Sequence, residues 1–269
     1  MSSVLNLENI KMVAAGAGSD VLKGEHTDPI LKEALDLSGA EKPKVLVVAT
    51  AEPTEAWYNE FIQGTNERFK KLGANVTNLH EFGKAPSQDE IDEKIGTADT
   101  IWVAGGDTLH MMEFWKEHGI DVALGRAAQR GAVMSGGSAG MLAWMEQGHS
   151  DSLSYRVPEG EPWDYIFVKG LGYINVTAIP HFDSMKDGEL RSEDFKKKFK
   201  ANDALPNVGL GIDNMAALSI VDGQYRVIST PNEKYPRAQV HILHKTKEGI
   251  EESVLPAENE YKPLEMETA

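Results

Sequence analysis

One stretch constrains the fold more than any other: Gly131-Ala-Val-Met-Ser-Gly-Gly-Ser-Ala-Gly-Met-Leu-Ala-Trp144, an apolar run that breaks into small residues and resumes as a helix-like run. Its centre, Gly136-Gly137-Ser138-Ala139-Gly140, has the spacing G-x-S-x-G. That spacing suits a strand that turns so sharply into a helix that the serine backbone is strained, and only small neighbours let the turn close. Ser138 would then stand at a helix start, where free N–H groups, including that of Ala139, can stabilise a developing oxyanion. A glycine-rich connection with a serine N-cap reads the same way locally. The rest of the chain has to decide between the two.

Strand and helix signals alternate up to this point. Ile10–Ala15, Lys44–Thr50, Ala74–Leu79 and Thr100–Ala104 read as strands, and Lys44–Thr50 is apolar almost throughout, as for a parallel strand covered on both faces. Between them, Asp28-Pro29 supplies an N-cap and first-turn proline, Thr54 opens a helix, and Ser87-Gln-Asp-Glu90 is a capping box. In the Thr54 helix, Trp57, Tyr58, Phe61, Phe69 and Leu72 read as a core stripe. Such alternation predicts an α/β fold with a doubly wound, mainly parallel sheet. Gly105-Gly106-Asp107-Thr108 follows the fourth strand, so the Gly106 N–H lies at the same sheet edge as Ser138 and is a second oxyanion donor. An Asp/Gly turn capped by Thr108 is compatible with that placement. Gly16-Ala-Gly-Ser-Asp20 lacks the third glycine of a dinucleotide fingerprint, because Val21 takes its place.

After Trp144 the pattern changes. Residues 146–152 are polar and 155–163 carry Pro158, Gly160 and Pro162, which reads as loop. Strands resume at 172–179, running into Pro180-His181, and at Val208–Ile212. Asp222-Gly223 joins Ala216–Val221 to Gln224–Ser229 in an antiparallel hairpin, Gln239–His244 is one more strand, and an acidic frayed tail is expected from Pro256. The whole reads as a single α/β domain over 1–269, with a core at about 8–230 and a β extension and tail at 231–269.

Composition narrows the function classes. A formal charge of −15, with Lys196-Lys197-Lys198 the one basic run, argues against a nucleic-acid partner. The absence of cysteine removes disulfides, thiolate metal sites and a cysteine nucleophile. No apolar run reaches the roughly eighteen residues of a membrane span and no leader is visible, so a soluble cytoplasmic chain without a membrane partner is expected. No HExxH or dense His/Asp/Glu cluster occurs, so neither a metal nor another cofactor is expected.

A serine nucleophile needs a base and a group that orients the base. Of the eight histidines, His181 has the most suitable place, at the end of a strand behind a proline. His110 and His118 share a helix with Trp115, and His149 sits in the polar stretch. His241 and His244, three apart in a strand, point to opposite faces. For the orienting acid, Asp151 leads, with Asp213 as alternative and Asp183 third. An α/β-hydrolase-type esterase would instead use Ser138, Asp213 and His241 or His244. A catalytically silent binding or regulatory protein is a third reading.

Taken together, Gly105-Gly106-Asp107-Thr108, Ser138-Ala139-Gly140, residues 148–152, Pro180-His181-Phe182 and Gly211-Ile-Asp-Asn-Met-Ala-Ala217 resemble the dipeptidase E and cyanophycinase family of serine peptidases. The resemblance covers roughly 44–230 and implies a flavodoxin-like sheet, similar to a class I glutamine amidotransferase domain. It also implies Ser138 as nucleophile, His181 as base, Asp151 nearest to the family's acid, and Gly106 and Ala139 as the oxyanion hole. The activity implied is metal-independent cleavage of dipeptides or short peptides with an acidic amino-terminal residue. Asp107 stands where many relatives carry Asn, and the segment before His181 departs from the arrangement of Asp-X dipeptidases. The Ala14–Gly18 segment matches only loosely, which is read as bearing on the N-terminus and not on the site. The partner expected is a small peptide; whether the chain forms a homodimer stays open.

Overall fold

The computed structural model describes residues 10–80, 82–257 and 260–264. Its first half alternates as the apolar pattern dictates: β1 (Lys11–Ala15), α1 (Asp28–Asp36), β2 (Lys44–Val48), α2 (Glu55–Lys71), β3 (Asn75–Asn78), α3 (Gln88–Thr97), β4 (Thr100–Val103), α4 (Thr108–His118), α5 (Ile120–Gln129), β5 (Val133–Gly137) and α6 (Ala139–Leu142). The capping box at Ser87 forms with both of its hydrogen bonds, and Thr54 accepts from the Trp57 N–H. Asp28 is not a cap: it begins α1 and binds Arg68, and the cap of α4 is Asp107 rather than Thr108.

The second half contributes β6 (Met145–Ser150), β7 (Ile166–Lys169), β8 (Ile174–Pro180), the short pair β9 (Met185–Lys186) and β10 (Glu189–Leu190), α7 (Arg191–Lys200), β11 (Val208–Ile212), β12 (Ala216–Val221), β13 (Gln224–Ser229), β14 (Val240–Lys245), β15 (Ile250–Leu255) and β16 (Lys262–Pro263).

The strands form two large sheets. The first has the order β16-β13-β12-β1-β5-β4-β2-β3, parallel from β1 to β3 and antiparallel through β12, β13 and β16. Every residue of β4 and β5 is buried, which is why these strands read as unbroken small or apolar runs. The second has the order β15-β14-β11-β8-β6-β7, with β11, β8 and β6 parallel and antiparallel strands at both edges. The α/β class with a large, mostly parallel sheet is thus as expected, but of the strands after Ser138 only β12, β13 and β16 extend the first sheet, while β6, β7, β8, β11, β14 and β15 build a second. Helix α6 packs between them, against β1, β4 and β5 on one side and β6 and β8 on the other.

Three further expectations are corrected. Residues 145–150 are a strand, because the polar side chains of His149 and Ser150 are buried with partners of their own: Asp194 for His149, Thr108 and Ser152 for Ser150. The stretch from Pro256 is not frayed at 260–264: β16 pairs with β13, and the Tyr261 hydroxyl bonds Glu33 and Ser219 beside Arg226. Within α2, Tyr58, Phe61 and Phe69 are core, whereas Trp57 is 53% exposed. The Asp222-Gly223 turn has φ of 50° and 73°, the left-handed pair that a two-residue hairpin requires.

Candidate active site

Ser138 follows β5 directly with φ 55° and ψ −119°, a conformation that costs a non-glycine residue energy and persists only where the surroundings over-determine it. What holds it is close packing. A side chain on Gly137 would begin 2.0 Å from the Ala17 carbonyl oxygen, and one on Gly140 2.2 Å from that of Val103. Neither position has room for any other residue.

His181 directly follows β8 and also has positive φ, 51°. Its Nε2 lies 2.9 Å from Ser138 Oγ and its Nδ1 lies 2.7 Å from Asn214 Oδ1. The Asn214 amide nitrogen donates to Asp183 Oδ1 at 2.7 Å and Ser184 Oγ at 3.0 Å, so its carbonyl oxygen must face the ring. An acceptor at Nδ1 places the imidazole proton there and leaves Nε2 to accept from the serine hydroxyl. Burial first, and then the Arg191 guanidinium, hold His181 below its ordinary 6.5, against the opposing pull of Asn214, Asp151 and Asp183. The neutral ring is the form that can take a proton.

Asn214 reaches His181 because β8 and β11 are parallel neighbours in register, Pro180 opposite Ile212, and each chain leaves its strand toward the other. The group bonded to His181 Nδ1 is thus an amide, where a carboxylate was expected. Asp151 faces Arg191 at 4.0 Å and Asp183 acts one step behind Asn214. Asp213 is fully buried, taking the Gln239 N–H on one oxygen and lying 3.4 Å from His241 with the other.

The histidines of the esterase reading are elsewhere. His241 bonds Glu252 and stacks on Phe182, and His244 lies opposite Val208, at the far end of β11 from Asn214. His149 is buried among Tyr165, Phe167 and Phe195 on a hydrogen bond to Asp194, and desolvation brings it down to about 4. His110 and His118 pack on Phe114.

Gly106, at φ 121°, lines the same cavity as Ser138, and Ala139, the first residue of α6, directly follows Ser138. Among the described residues neither N–H has a protein acceptor, which leaves both for a ligand oxygen. The loop after β1 belongs to the site as well, contrary to the expectation from the sequence. The Ser138 N–H donates to Ala15 at 3.1 Å and the His181 N–H to Gly16 at 3.0 Å. Gly18 packs against Ser138 Cβ beside Gly105. Small residues after a first strand, Gly16-Ala17-Gly18, were the signal for this role.

Ser138 and His181 open onto a cavity of about 450 Å³, bounded by the β1 loop, Gly105-Gly106, Asp151, Tyr155 and one face of α2. Among the described residues no group of three His, Asp or Glu could hold a metal, and no helix is long and apolar enough to cross a membrane.

The model of peptidase family S51 matches residues 13–228. The chain is 29% identical over 177 residues to the "Uncharacterized peptidase YgaJ" of Bacillus subtilis, covering 66% of this chain and 70% of that protein. It is 27% identical over 213 residues to a peptidase E of Salmonella arizonae, covering 77% of this chain and 84% of that one. Among solved structures, a peptidase from an acI-B1 actinobacterium superposes with a TM-score of 0.66 at 19% identity, over 95% of this chain and 98% of that one. A putative peptidase E from Listeria monocytogenes gives 0.58 at 17%, over 82% and 98%.

Proposed function

This chain belongs to peptidase family S51, the dipeptidase E family of serine peptidases, and from that premise we propose that Ser138, His181 and Asn214 carry out peptide hydrolysis. The observation that supports it most is the 2.9 Å contact between Ser138 Oγ and His181 Nε2 at the mouth of a cavity. His181 takes the hydroxyl proton as Ser138 attacks the scissile carbonyl, and the Gly106 and Ala139 N–H groups receive the oxyanion. Asn214 Oδ1 accepts from Nδ1–H throughout and keeps the ring in the working tautomer. His181 then protonates the leaving amine, and a water activated by the same ring releases the acyl group and restores the serine.

The substrate proposed is a dipeptide or short peptide. A cavity of about 450 Å³ is at the small end of ligand pockets, which run from about 300 to 1,000 Å³. The acidic amino-terminal residue implied by the resemblance is the part the cavity does not favour, for the electrostatic reason given below. The test is a panel of dipeptides with wild type and Ser138→Ala, together with a serine-directed phosphonate. A covalent adduct on Ser138 and loss of hydrolysis in the variant are expected; an adduct on another serine, with activity intact in Ser138→Ala, overturns the assignment.

A further inference from the structure

The charges lining the cavity are one-sided. Asp20, Glu52, Glu60 and Asp151 face it, with Lys23 the one lysine or arginine in its wall. Lys23 is already paired with Asp20 at 3.0 Å, and Asp151 has Arg191 behind it at 4.0 Å. Glu52 and Glu60 differ: among the described residues no cation and no hydrogen-bond donor meets either carboxylate.

Their positions bear on the chemistry. Glu52 lies on the connection from β2 to α2, and its backbone nitrogen is 3.3 Å from where a side chain on Gly106 would begin, so it adjoins the oxyanion loop. Glu60 is on α2 three residues after Trp57, and both line the cavity with Phe61 and Gly64 on one helix face. Trp57 is 53% exposed, a large ring left at the cavity wall beside two unpaired carboxylates. A carboxylate pair beside an exposed indole matches a cation by charge and by ring quadrupole together. It opposes a second carboxylate. An aspartyl or glutamyl side chain entering here would add a further like charge to a partly desolvated group with no counter-ion.

We propose that Glu52, Glu60 and Trp57 form a cation subsite beside Ser138, so that this peptidase takes substrates carrying an ammonium or guanidinium group in place of an acidic first residue. The assignment of the subsite to a substrate rests on the reading of Ser138 as a peptidase nucleophile. The state of Glu52 agrees with it: burial, reinforced by the charge of Glu60, raises its carboxyl to about 7, as for a group lacking its partner. The phenol of Tyr155, in the same wall, is pushed up by burial and then by Asp151, Glu52 and Asp107, so the field there is negative.

The cation has two sources, the α-ammonium or a basic side chain, and one experiment separates them. Hydrolysis of Lys-Ala, Arg-Ala, Gln-Ala and Asp-Ala is measured with wild type, Glu52→Gln, Glu60→Gln and the double variant. Wild type is expected to favour Lys-Ala and Arg-Ala over Asp-Ala by at least about tenfold in kcat/KM, the scale of one charge-assisted contact. That ratio should collapse toward one in the double variant. Binding of lysinamide, Nα-acetyl-lysinamide and aspartamide to Ser138→Ala, by calorimetry, supplies a readout free of turnover. Loss of binding on acetylation assigns the subsite to the α-ammonium, and retention assigns it to the side chain. Preference for Asp-Ala or aspartamide, or a lysine preference untouched by both glutamine substitutions, overturns the proposal. Should Glu52→Gln fail to fold, the exposed Glu60 and the Ser138→Ala binding series decide it. Peptide hydrolysis that survives in Ser138→Ala overturns the nucleophile alone, and the binding series still decides the subsite.

Discussion

Ser138 and His181 hang from consecutive carbonyls where β1 passes into its loop: the Ser138 N–H donates to Ala15 at 3.1 Å and the His181 N–H to Gly16 at 3.0 Å. The Oγ to Nε2 distance of 2.9 Å is therefore set by the backbone of a third segment as well as by the two strands that deliver the residues.

Because serine and base act as one unit, Ser138→Ala and His181→Ala should each lower kcat by roughly 10⁴-fold or more, and the double variant should be little worse than either. Steady-state kinetics on one peptide checks this. His181→Ala is expected to keep a thermal midpoint near that of wild type, and His241→Ala, where folded, most of its turnover. A folded but inactive His241→Ala with an active His181→Ala would return the site to the esterase arrangement.

The pH dependence of kcat/KM should have its acid limb below the ordinary histidine value of 6.5, since burial and Arg191 depress His181. Asn214→Asp places a carboxylate at Nδ1, stabilises the imidazolium and should move that limb upward. Asn214→Leu removes the acceptor and should cost about 10²-fold or more in kcat, because the ring loses its fixed tautomer. An acid limb unmoved by Asn214→Asp would show that Asn214 does not act on the base.

Glu52 gives a sign to stability. Its carboxyl is held at about 7 against 4.5 for the free side chain, so the folded state binds the proton more tightly than the unfolded chain. The resulting stabilisation is present below about 4.5 and is lost as pH rises through about 7. Glu52→Gln should therefore melt relatively higher against wild type at pH 8 than at pH 5, as read from thermal midpoints at both values. A difference that shrinks between pH 5 and 8 contradicts the assignment.

Gly18 tests the loop after β1. A methyl there would meet Ser138 Cβ at 3.4 Å and the Gly105 Cα at 3.3 Å, tight but within what the loop can yield. Gly18→Ala should lower kcat by about tenfold through a small displacement of the nucleophile, with the melting temperature within a few degrees of wild type. Unchanged turnover would detach this loop from the chemistry.

The legible parts of the chain were those in which one local signal sufficed. Val45 to Val48 and Ile101 to Val103 read as buried strands because both faces are covered, and Ser87 with Glu90, or Asp222 with Gly223, carry their hydrogen bonds or dihedrals within a few residues. His181 was legible from its place at a strand end. What escaped depends on partners far along the chain. Strand β6 looked like loop because His149 is made tolerable by Asp194, 45 residues on. Asn214 escaped because the search was for a carboxylate, and its role follows only from the register of β8 and β11. Trp57 was assigned to the core by a helical period that does not say where the buried arc ends.

Ser138 directly follows β5 and His181 directly follows β8, so the two halves of the chemistry hang from different sheets, with α6 wedged between. Hydrolysis therefore gauges how far apart two sheets stand that are joined at the site through the Ala15 and Gly16 carbonyls, a quantity that spectroscopic signals of strand and helix content do not register. In a gentle denaturant titration the enzyme should fall silent at concentrations where its circular dichroism is still that of the native protein, as each sheet keeps its own ladder while the gap between nucleophile and base widens.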